Sequence, residues 1–189
     1  MPYSKLRNDG DGDGDENVSD DDETSLIKFH NNHIYFYAMV TNKTALELNM
    51  TIKTVTSNVM KNTVDMGICP NIYLHINSGG GEVNAALSTV DTIRNNEIPI
   101  ISIIEGSAAS SATLISMVCH KRYINKHAMM LIHQISGGFW GKMEEFEDEM
   151  KNMEKLTCNL KEIYRSNSKM NKTTINNLLK KDLLLDAET

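Results

Sequence analysis

A serine within residues 106–112 has the surroundings that an acyl-transfer nucleophile needs. This segment reads Gly-Ser-Ala-Ala-Ser-Ser-Ala and follows the β-branched run 99–104, which predicts a buried strand. Residues 113–117 can continue as a helix, so the segment lies at a strand-to-helix corner. A hydroxyl at that corner faces the positive end of a helix dipole, where a developing negative charge is stabilised. Small neighbours let a substrate backbone approach, and the pattern predicts attack of a hydroxyl on an acyl carbon.

A nucleophilic hydroxyl also needs a base, and the base needs a carboxylate that orients it. Among the six histidines, His133 differs in ending the apolar run 129–132 just before a glycine-rich segment. The carboxyl end of a strand in an α/β sheet is where catalytic groups collect. On the residues alone, a structural histidine is the competing interpretation. Asp182 borders the apolar run 183–185, which fits either an inward-facing carboxylate or a plain helix surface.

An oxyanion hole needs two backbone N–H groups that point at one position. The N–H of Ser111 is one candidate, and the glycine turn 79–81 after the second predicted strand offers another, because glycine lets the backbone approach a substrate closely. A glycine turn between strand and helix also suggests a phosphate cradle. The turn lacks the lysine and hydroxyl of a P-loop and the spacing of a dinucleotide fingerprint, so that interpretation is weaker.

Strands and helices are predicted to alternate along the chain. Strands separated by helices imply βαβ units and a mostly parallel sheet, and therefore an α/β fold. The predicted strands are 33–37, 72–76 and 99–104, with short strands at 123–124 and 129–132. The predicted helices are 44–62, a helix through Ala85 and Ile93, a helix after Ser110, and 144–164.

The longest predicted helix carries an apolar stripe with steps of three and four residues, which suits packing against another helix. An ordinary core helix and a subunit-contact helix fit this pattern equally well. The segment 137–141 before it reads as an exposed glycine-rich hinge. The stripe consists of Phe146, Met150, Met153, Leu156 or Thr157, Leu160, and Ile163 or Tyr164.

The acidic charge of the chain is concentrated at its N-terminus. The 189 residues carry a net charge of −6, but residues 1–23 hold nine acids against two bases, so the other residues sum to +1. A near-neutral remainder offers no basic patch for nucleic acid. Residues 1–23 are also poor in apolar side chains, which predicts a disordered acidic arm, and residues 24–189 are expected to form one domain.

The arm alternates aspartate and glycine over residues 9–14, like the start of an EF-hand loop. The loop's twelfth position is Asp20 rather than glutamate and its eighth is Glu16 rather than apolar. A solvated arm is therefore favoured over calcium binding, and no metal site is expected. No apolar stretch reaches the roughly 18 residues of a membrane span. The three cysteines are scattered, which is typical of a reducing cytoplasm.

Four motifs in order resemble the proteolytic subunit of the ATP-dependent Clp protease, the ClpP family. They are Ile-Tyr-Leu-His-Ile-Asn-Ser-Gly-Gly-Gly at 72–81, the serine segment 106–112, Met-Leu-Ile-His-Gln-Ile-Ser-Gly-Gly at 130–138, and Lys-Asp-Leu-Leu-Leu-Asp-Ala at 181–187. The likeness runs from about residue 34 to residue 187. It implies the ClpP/crotonase fold, a spiral of βαβ units with a protruding helix-and-strand handle over about 134–164.

The resemblance implies a serine endopeptidase with a Ser-His-Asp triad. It places the nucleophile at Ser110, the general base at His133 and the orienting acid at Asp182. The oxyanion donors it implies are the backbone N–H groups of Gly81 and Ser111. A polypeptide substrate would lie as an added strand against residues of two segments, which are Gly80, Gly81, Val83, Ile135 and Gly137.

The resemblance also implies partners. Family members stack two seven-membered rings around a chamber and receive substrates from a separate AAA+ unfoldase, so homo-oligomers are expected. This chain has no Walker A motif, so ATP would be used by that partner, and no cofactor is expected here. Tyr73 matches one aromatic residue of the family's docking surface, and His75 stands where another aromatic is usual. The expected compartment is the cytoplasm, or the host cytoplasm for a viral copy.

Some positions depart from the family pattern. Gly79 and Ile135 replace prolines, which adds backbone freedom near the site. The chain stops at Thr189, where relatives continue through another strand, and this trimming suggests a divergent or viral copy. Three alternatives therefore stand beside a degradative protease: a capsid-maturation protease with the same chemistry, an inactive structural subunit of a mixed ring, and a crotonase-type acyl-CoA enzyme.

Overall fold

A computed structural model describes residues 26–63 and 70–188. In these ranges, seven strands form one sheet and five α-helices accompany it. The predicted acidic arm at 1–23 lies outside the described residues, as does Cys69. The strands are β1 (Ile27–His30), β2 (His33–Phe36), β3 (Ile72–Ser78), β4 (Ile100–Ala109), β5 (Lys121–Ile124), β6 (Met129–Leu131) and β7 (Leu184–Leu185). The helices are α1 (Asn42–Thr63), α2 (Val83–Arg94), α3 (Ser111–Met117), α4 (Met143–Ser166) and α5 (Lys172–Leu179).

The sheet is parallel at its centre. β2, β3 and β4 pair in parallel and are joined by α1 and α2, because parallel neighbours need a crossover connection. β4 then pairs in parallel with β5 along its first half and with β6 along its second half. Antiparallel strands lie at both edges, β1 beside β2 and β7 beside β6. The predicted α/β fold with a mostly parallel sheet is confirmed.

One apolar core fixes the helices to the sheet. It joins alternate residues of β2, β3 and β4 to apolar residues of α1, α2 and α3, so these three helices cover the same face. The alternation follows from the period of two along a strand. Fully buried examples are Ile34, Phe36, Leu74, Ile76, Leu48, Ile52 and Leu114.

The fourth strand is longer than the sequence predicts. Residues 106–109, expected to form a turn, continue β4 up to the residue before Ser110. Pairing explains the difference, because the small residues of this stretch fit between β3 and β6. The register between β3 and β4 shifts between Ile76 and Ser78. There the Asn77 side chain accepts a hydrogen bond from the Ser107 N–H at 3.1 Å, which holds the irregular stretch together.

Three short elements were not predicted from the sequence. In β1, the side chains after Ile27 are exposed and carry little apolar signal. α5 spans eight residues and is capped by Asn171, whose side chain accepts a hydrogen bond from the Thr174 N–H at 2.9 Å. β7 is two residues long and exists through its pairing with β6. These elements depend on tertiary contacts more than on their own residue pattern.

Helix α4 is buried only near its C-terminal end. Its buried residues are Leu160, Ile163 and Tyr164. Farther toward the N-terminus the predicted apolar stripe is exposed, with Phe146 at 42% and Met150 at 63%. The helix therefore projects from the core, while residues 132–142 form no strand in the described structure, so the handle over about 134–164 stays a prediction. Within the described ranges, no helix is long and apolar enough to cross a membrane.

Candidate active site

Ser110 occupies the corner between β4 and α3 in a backbone conformation that is unusual for a residue with a side chain. Its φ is 53° and its ψ is −126°, and such a conformation costs about 1–3 kcal/mol. Neighbouring groups hold it there. The Ser110 N–H donates to the Leu131 carbonyl at 2.8 Å, and the Ser110 carbonyl accepts from the Thr113 N–H at 3.0 Å. The end of β6 and the first turn of α3 therefore hold the strained backbone in place. This conformation turns the serine side chain out of the strand.

Strand pairing brings His133 and Asp182 together. In the antiparallel β6–β7 ladder, Met130 pairs with Leu185 and Leu131 with Leu184. Continued by two residues, this register sets His133 opposite Asp182. Nδ1 of His133 lies 3.7 Å from Oδ1 of Asp182, an ion-pair distance longer than a hydrogen bond. The Asp182 side chain is 81% exposed and that of His133 24% exposed.

The nucleophile and base candidates follow adjacent strands. Ala109 pairs with Leu131 in the β4–β6 ladder, so Ser110 and His133 extend from the same edge of the sheet. No hydrogen bond joins the Ser110 hydroxyl to the His133 ring within the described part of the chain. Because Nδ1 of His133 faces Asp182, the atom left to act on the serine is Nε2. Catalytic hydrogen bonds are often long before substrate binds, so this geometry is compatible with a base.

The glycine turn packs directly on the serine corner. Gly80 has φ 86°, and a Cβ atom built on it would lie 2.8 Å from Ser110 Cβ and collide with the Ala109 carbonyl. Gly81 has φ 144°, and its added Cβ would collide with the Val40 carbonyl. Both positions therefore require glycine for conformation and for space. The Ser78 hydroxyl accepts a hydrogen bond from the Gly80 N–H at 3.1 Å and steadies the turn.

Two backbone N–H groups are left without acceptors at this corner. The Val40 N–H donates a hydrogen bond to the Gly80 carbonyl, and the Val40 carbonyl accepts one from the Glu82 N–H, each at 2.8 Å. Because this parallel pairing uses the residues on either side of Gly81, the N–H of Gly81 faces the opposite side. Ser111 is the first residue of α3, and the first N–H groups of a helix have no partner within it. Neither N–H donates to another group in residues 26–63 and 70–188. These are donors of the kind that an oxyanion requires.

The expected substrate-binding segments lie on both sides of the corner. Gly80 is buried, Gly81 is exposed and Val83 begins α2 with its side chain partly buried against the core. Ile135 packs against the core and Gly137 is exposed, within the stretch that forms no strand. Gly81 and Gly137 are therefore accessible at the edge that carries Ser110, whereas Gly80 is not.

A known protein family matches this chain over most of its length. The model of the family described as Clp protease matches residues 28–189. The chain belongs to the Clp protease family. The predicted resemblance is confirmed, and the mixed α/β fold is consistent with the ClpP fold. The family is one of ClpP-type serine peptidases, and its members generally form oligomeric rings with unfoldase partners.

The docking residues expected in this Clp protease family member lie in a hydrogen-bonded network on the sheet face opposite the helices. Nδ1 of His75 lies 2.6 Å from a Glu105 carboxylate oxygen, and the Tyr37 hydroxyl donates to the other oxygen at 2.5 Å. His33 Nδ1 lies 2.9 Å from His75 Nε2, and the His33 ring stacks on Tyr73 at 4.8 Å between centroids. We call His33, Tyr37, Tyr73, His75 and Glu105 the His–Glu network.

The His–Glu network shifts the ionisation of its members. The hydrogen bond with Glu105 raises the pKa of Tyr37 to about 12. Burial alone would raise the pKa of Glu105, but hydrogen bonds from Tyr37 and His75 and the histidine charges outweigh it and lower the pKa. Burial, followed by the charge of His75, lowers the pKa of His33. The described residues contain no group of three or more potential ligands arranged to hold a metal ion.

Three polar side chains near these sites were not predicted from the sequence. Thr113 contacts the serine corner, Tyr164 contacts Thr113, and Glu105 organises the His–Glu network. The threonine and the tyrosine lie 51 residues apart, so no local pattern links them. Glu105 was detectable in principle, as a charged residue directly after the β-branched run 99–104. The predicted triad and oxyanion residues, in contrast, all lie at the edge that carries Ser110.

Proposed function

We propose that this chain is a serine endopeptidase that acts as the proteolytic subunit of an ATP-dependent Clp-type protease. The observation that carries the proposal is the strand register, which gathers Ser110, His133 and Asp182 at one edge of the sheet. The unpaired N–H groups of Gly81 and Ser111 at the same edge support it. Membership of the Clp protease family provides the reaction class.

In the proposed reaction, Nε2 of His133 takes the proton of the Ser110 hydroxyl as its oxygen attacks the carbonyl carbon of a peptide bond. The carbonyl oxygen becomes an oxyanion that accepts hydrogen bonds from the Gly81 and Ser111 N–H groups. The C–N bond then breaks and the leaving amine takes the proton from His133. Water, deprotonated by the same ring, hydrolyses the acyl-enzyme and restores the serine. Asp182 holds the ring and stabilises its charged form.

The substrate is proposed to bind as an extended strand between residues 80–83 and 135–137. Strand addition uses main-chain hydrogen bonds, which are common to all sequences, so broad specificity follows. The Gly81 carbonyl points away from Val40, on the side where such a strand would lie. Residues 135–137 belong to no strand of the described structure, so sheet pairing does not occupy their backbone groups.

Two surfaces suit the proposed assembly. The exposed stripe of α4, which includes Phe146 and Met150, suits contacts between subunits of a ring. The His–Glu network is proposed to receive the unfoldase, with Tyr73 and His75 as the contacting residues. The network differs from an apolar docking surface, because His75 is only 7% exposed and is hydrogen-bonded to Glu105. An unfoldase partner of this chain would therefore meet polar atoms there as well as aromatic rings.

Labelling with a fluorophosphonate probe tests the proposed nucleophile. We expect the assembled wild-type chain and Ser107→Ala to be labelled and Ser110→Ala to remain unlabelled. Ser107 is the matched control, because it lies three residues upstream, on the strand that leads to Ser110. Cleavage of a fluorogenic peptide, with and without a Clp-type ATPase, then measures the activity and the contribution of the partner. Absence of label from a folded, assembled sample would overturn the proposal.

A second candidate function follows from the exposure of Asp182. With its side chain 81% exposed and no hydrogen bond to His133, the orienting acid is loosely held. This observation favours a structural subunit that enters a mixed ring beside active subunits. The two candidates predict opposite results in the labelling experiment. Native mass spectrometry of the chain alone adds the assembly state, and for the chamber we expect closed rings.

A further inference from the structure

We propose that Thr113 and Tyr164 are positioning residues that aim the Ser111 N–H of the oxyanion hole. Tyr164 lies on α4 and Thr113 on α3, and their hydroxyl oxygens are 2.6 Å apart. Thr113 Oγ1 also lies 2.6 Å from the Ser110 carbonyl oxygen. The inference rests on the proposed function, because it assigns a role within that same site.

The direction of these hydrogen bonds follows from the available protons. A carbonyl oxygen only accepts, so the single proton of the Thr113 hydroxyl is donated to Ser110. The Tyr164 hydroxyl must then donate to the Thr113 oxygen. Burial raises the pKa of Tyr164 to about 12, and the opposing effect of its hydrogen bond to Thr113 is smaller, so the phenol keeps its proton at neutral pH. The chain of bonds therefore runs one way, from tyrosine to threonine to carbonyl.

The peptide plane converts this contact into a constraint on the oxyanion hole. The carbonyl of Ser110 and the N–H of Ser111 belong to the same planar trans peptide and point in opposite directions. Fixing the carbonyl oxygen therefore fixes where the N–H points. The carbonyl is held by two donors, the backbone N–H and the hydroxyl of Thr113. The hydroxyl adds a restraint at a corner whose backbone is already strained.

The same chain of bonds links the active-site corner to the projecting helix. Tyr164 belongs to the short buried part of α4, and the exposed stripe lies on the same helix. A shift of α4 along or about its axis would move the Tyr164 hydroxyl away from Thr113. The aim of one oxyanion donor therefore depends on where α4 is held.

The test uses variants that remove one hydroxyl each in the assembled full-length chain. Loss of a whole oxyanion donor lowers kcat about 10²–10³-fold. Each variant only misaligns the donor, so we expect a smaller decrease in kcat, about tenfold for Tyr164→Phe and somewhat more for Thr113→Val. KM for the fluorogenic peptide should not change. The fluorophosphonate labelling rate should fall by the same factor as kcat. Thr113→Ser keeps the hydroxyl and should restore kcat to near the wild-type value.

Ser102→Ala is the matched control for stability. Ser102 and Ser116 form a hydroxyl pair at 2.9 Å that is also buried between β4 and α3 but does not contact the serine corner. This variant should lower Tm about as much as Tyr164→Phe and leave kcat unchanged. In addition, Tyr164→Phe combined with Thr113→Val should lower kcat no further than Thr113→Val alone, because the tyrosine acts through the threonine.

The outcomes separate this inference from the proposed function. A wild-type chain without Ser110 label overturns the proposed function, and the positioning role falls with it. A labelled wild type together with Tyr164→Phe at the wild-type labelling rate and kcat overturns the positioning role alone. If Thr113→Val does not fold, Tyr164→Phe and Thr113→Ser still decide the question.

Discussion

Nδ1 of His133 lies 3.7 Å from Oδ1 of Asp182, in line with the register of β6 and β7 but beyond hydrogen-bond distance. β7 is only two residues long, so few backbone hydrogen bonds hold the aspartate in place. The exposure of Leu183 at 58% and Leu184 at 63% shows that the surrounding apolar side chains are uncovered as well. A small closing movement of this strand would complete the hydrogen bond.

Replacement of Asp182, the proposed orienting acid, should lower the activity of the assembled protein. We expect Asp182→Asn to lower kcat at least about 10²-fold, because the amide cannot stabilise a charged imidazole ring. Asp91→Asn, an equivalent change on the exposed side of α2, should leave kcat unchanged. Peptide hydrolysis at saturating substrate concentration measures kcat for both variants. Equal rates for Asp182→Asn and the wild type would show that the aspartate has no part in catalysis.

A methyl group at Gly80 should damage both stability and activity. The added Cβ meets Ser110 Cβ at 2.8 Å and the backbone has φ 86°, so Gly80→Ala strains the turn and displaces the serine corner. Strain of this kind costs about 1–3 kcal/mol in the free energy of unfolding. Urea unfolding and peptide hydrolysis measure the two effects. Gly138→Ala is the control, because a Cβ there would meet nothing within 4 Å; similar losses in both variants would contradict the packing argument.

Acidification should weaken the fold through the His–Glu network. The pKa of His33 in the folded chain lies below its ordinary value of 6.5. As the pH falls from 6.5 toward the folded pKa, the unfolded chain therefore binds a proton before the folded chain does. The free energy of unfolding decreases over that interval. Glu105 adds a further loss below 4.5, because its folded pKa is lowered too. Urea unfolding at pH 7.5 and 5.5 checks the sign. His33→Gln should reduce the change in the free energy of unfolding between these two pH values. An unchanged difference would exclude His33 as the source of the pH dependence.

Removal of the Ser111 hydroxyl should stabilise the fold. The side-chain oxygen is buried and has no hydrogen-bond partner among the described residues. An unsatisfied buried hydroxyl costs about 1–3 kcal/mol, so Ser111→Ala should raise the free energy of unfolding by about 1 kcal/mol after the lost packing is included. Thermal unfolding measures the change. A lower Tm for Ser111→Ala would mean that the hydroxyl contributes a favourable contact.

Periodicity and composition were sufficient to predict the central elements of this fold. The apolar runs around Leu74 and Ile101 mark buried parallel strands, and the steps of three and four in α4 mark a long helix. The end of β4 was predicted wrongly, because small residues such as Ala108 carry no strand signal until both neighbouring strands are in place. β7 escaped prediction for a different reason, because it is only two residues long and exists through its pairing with β6.

The site was predictable where the residue types are chemically distinctive. A serine at a strand-to-helix corner, a histidine after an apolar run and a glycine turn each indicated a role, and the structure sets Ser110, His133 and Gly81 along one edge. The supporting groups were not predictable. Thr113 and Tyr164 are ordinary helix residues in the sequence, and only the packing of α4 on α3 brings them together.

Trp140 is the only tryptophan of the chain and is 99% exposed, just before α4 begins. Its indole therefore emits as a water-surrounded fluorophore in the separate folded subunit. Burial of this segment between subunits would move the emission to shorter wavelength and shield it from aqueous quenchers. This side chain thus offers an optical reporter of the proposed assembly, at the exposed N-terminal end of the projecting helix and without any added label.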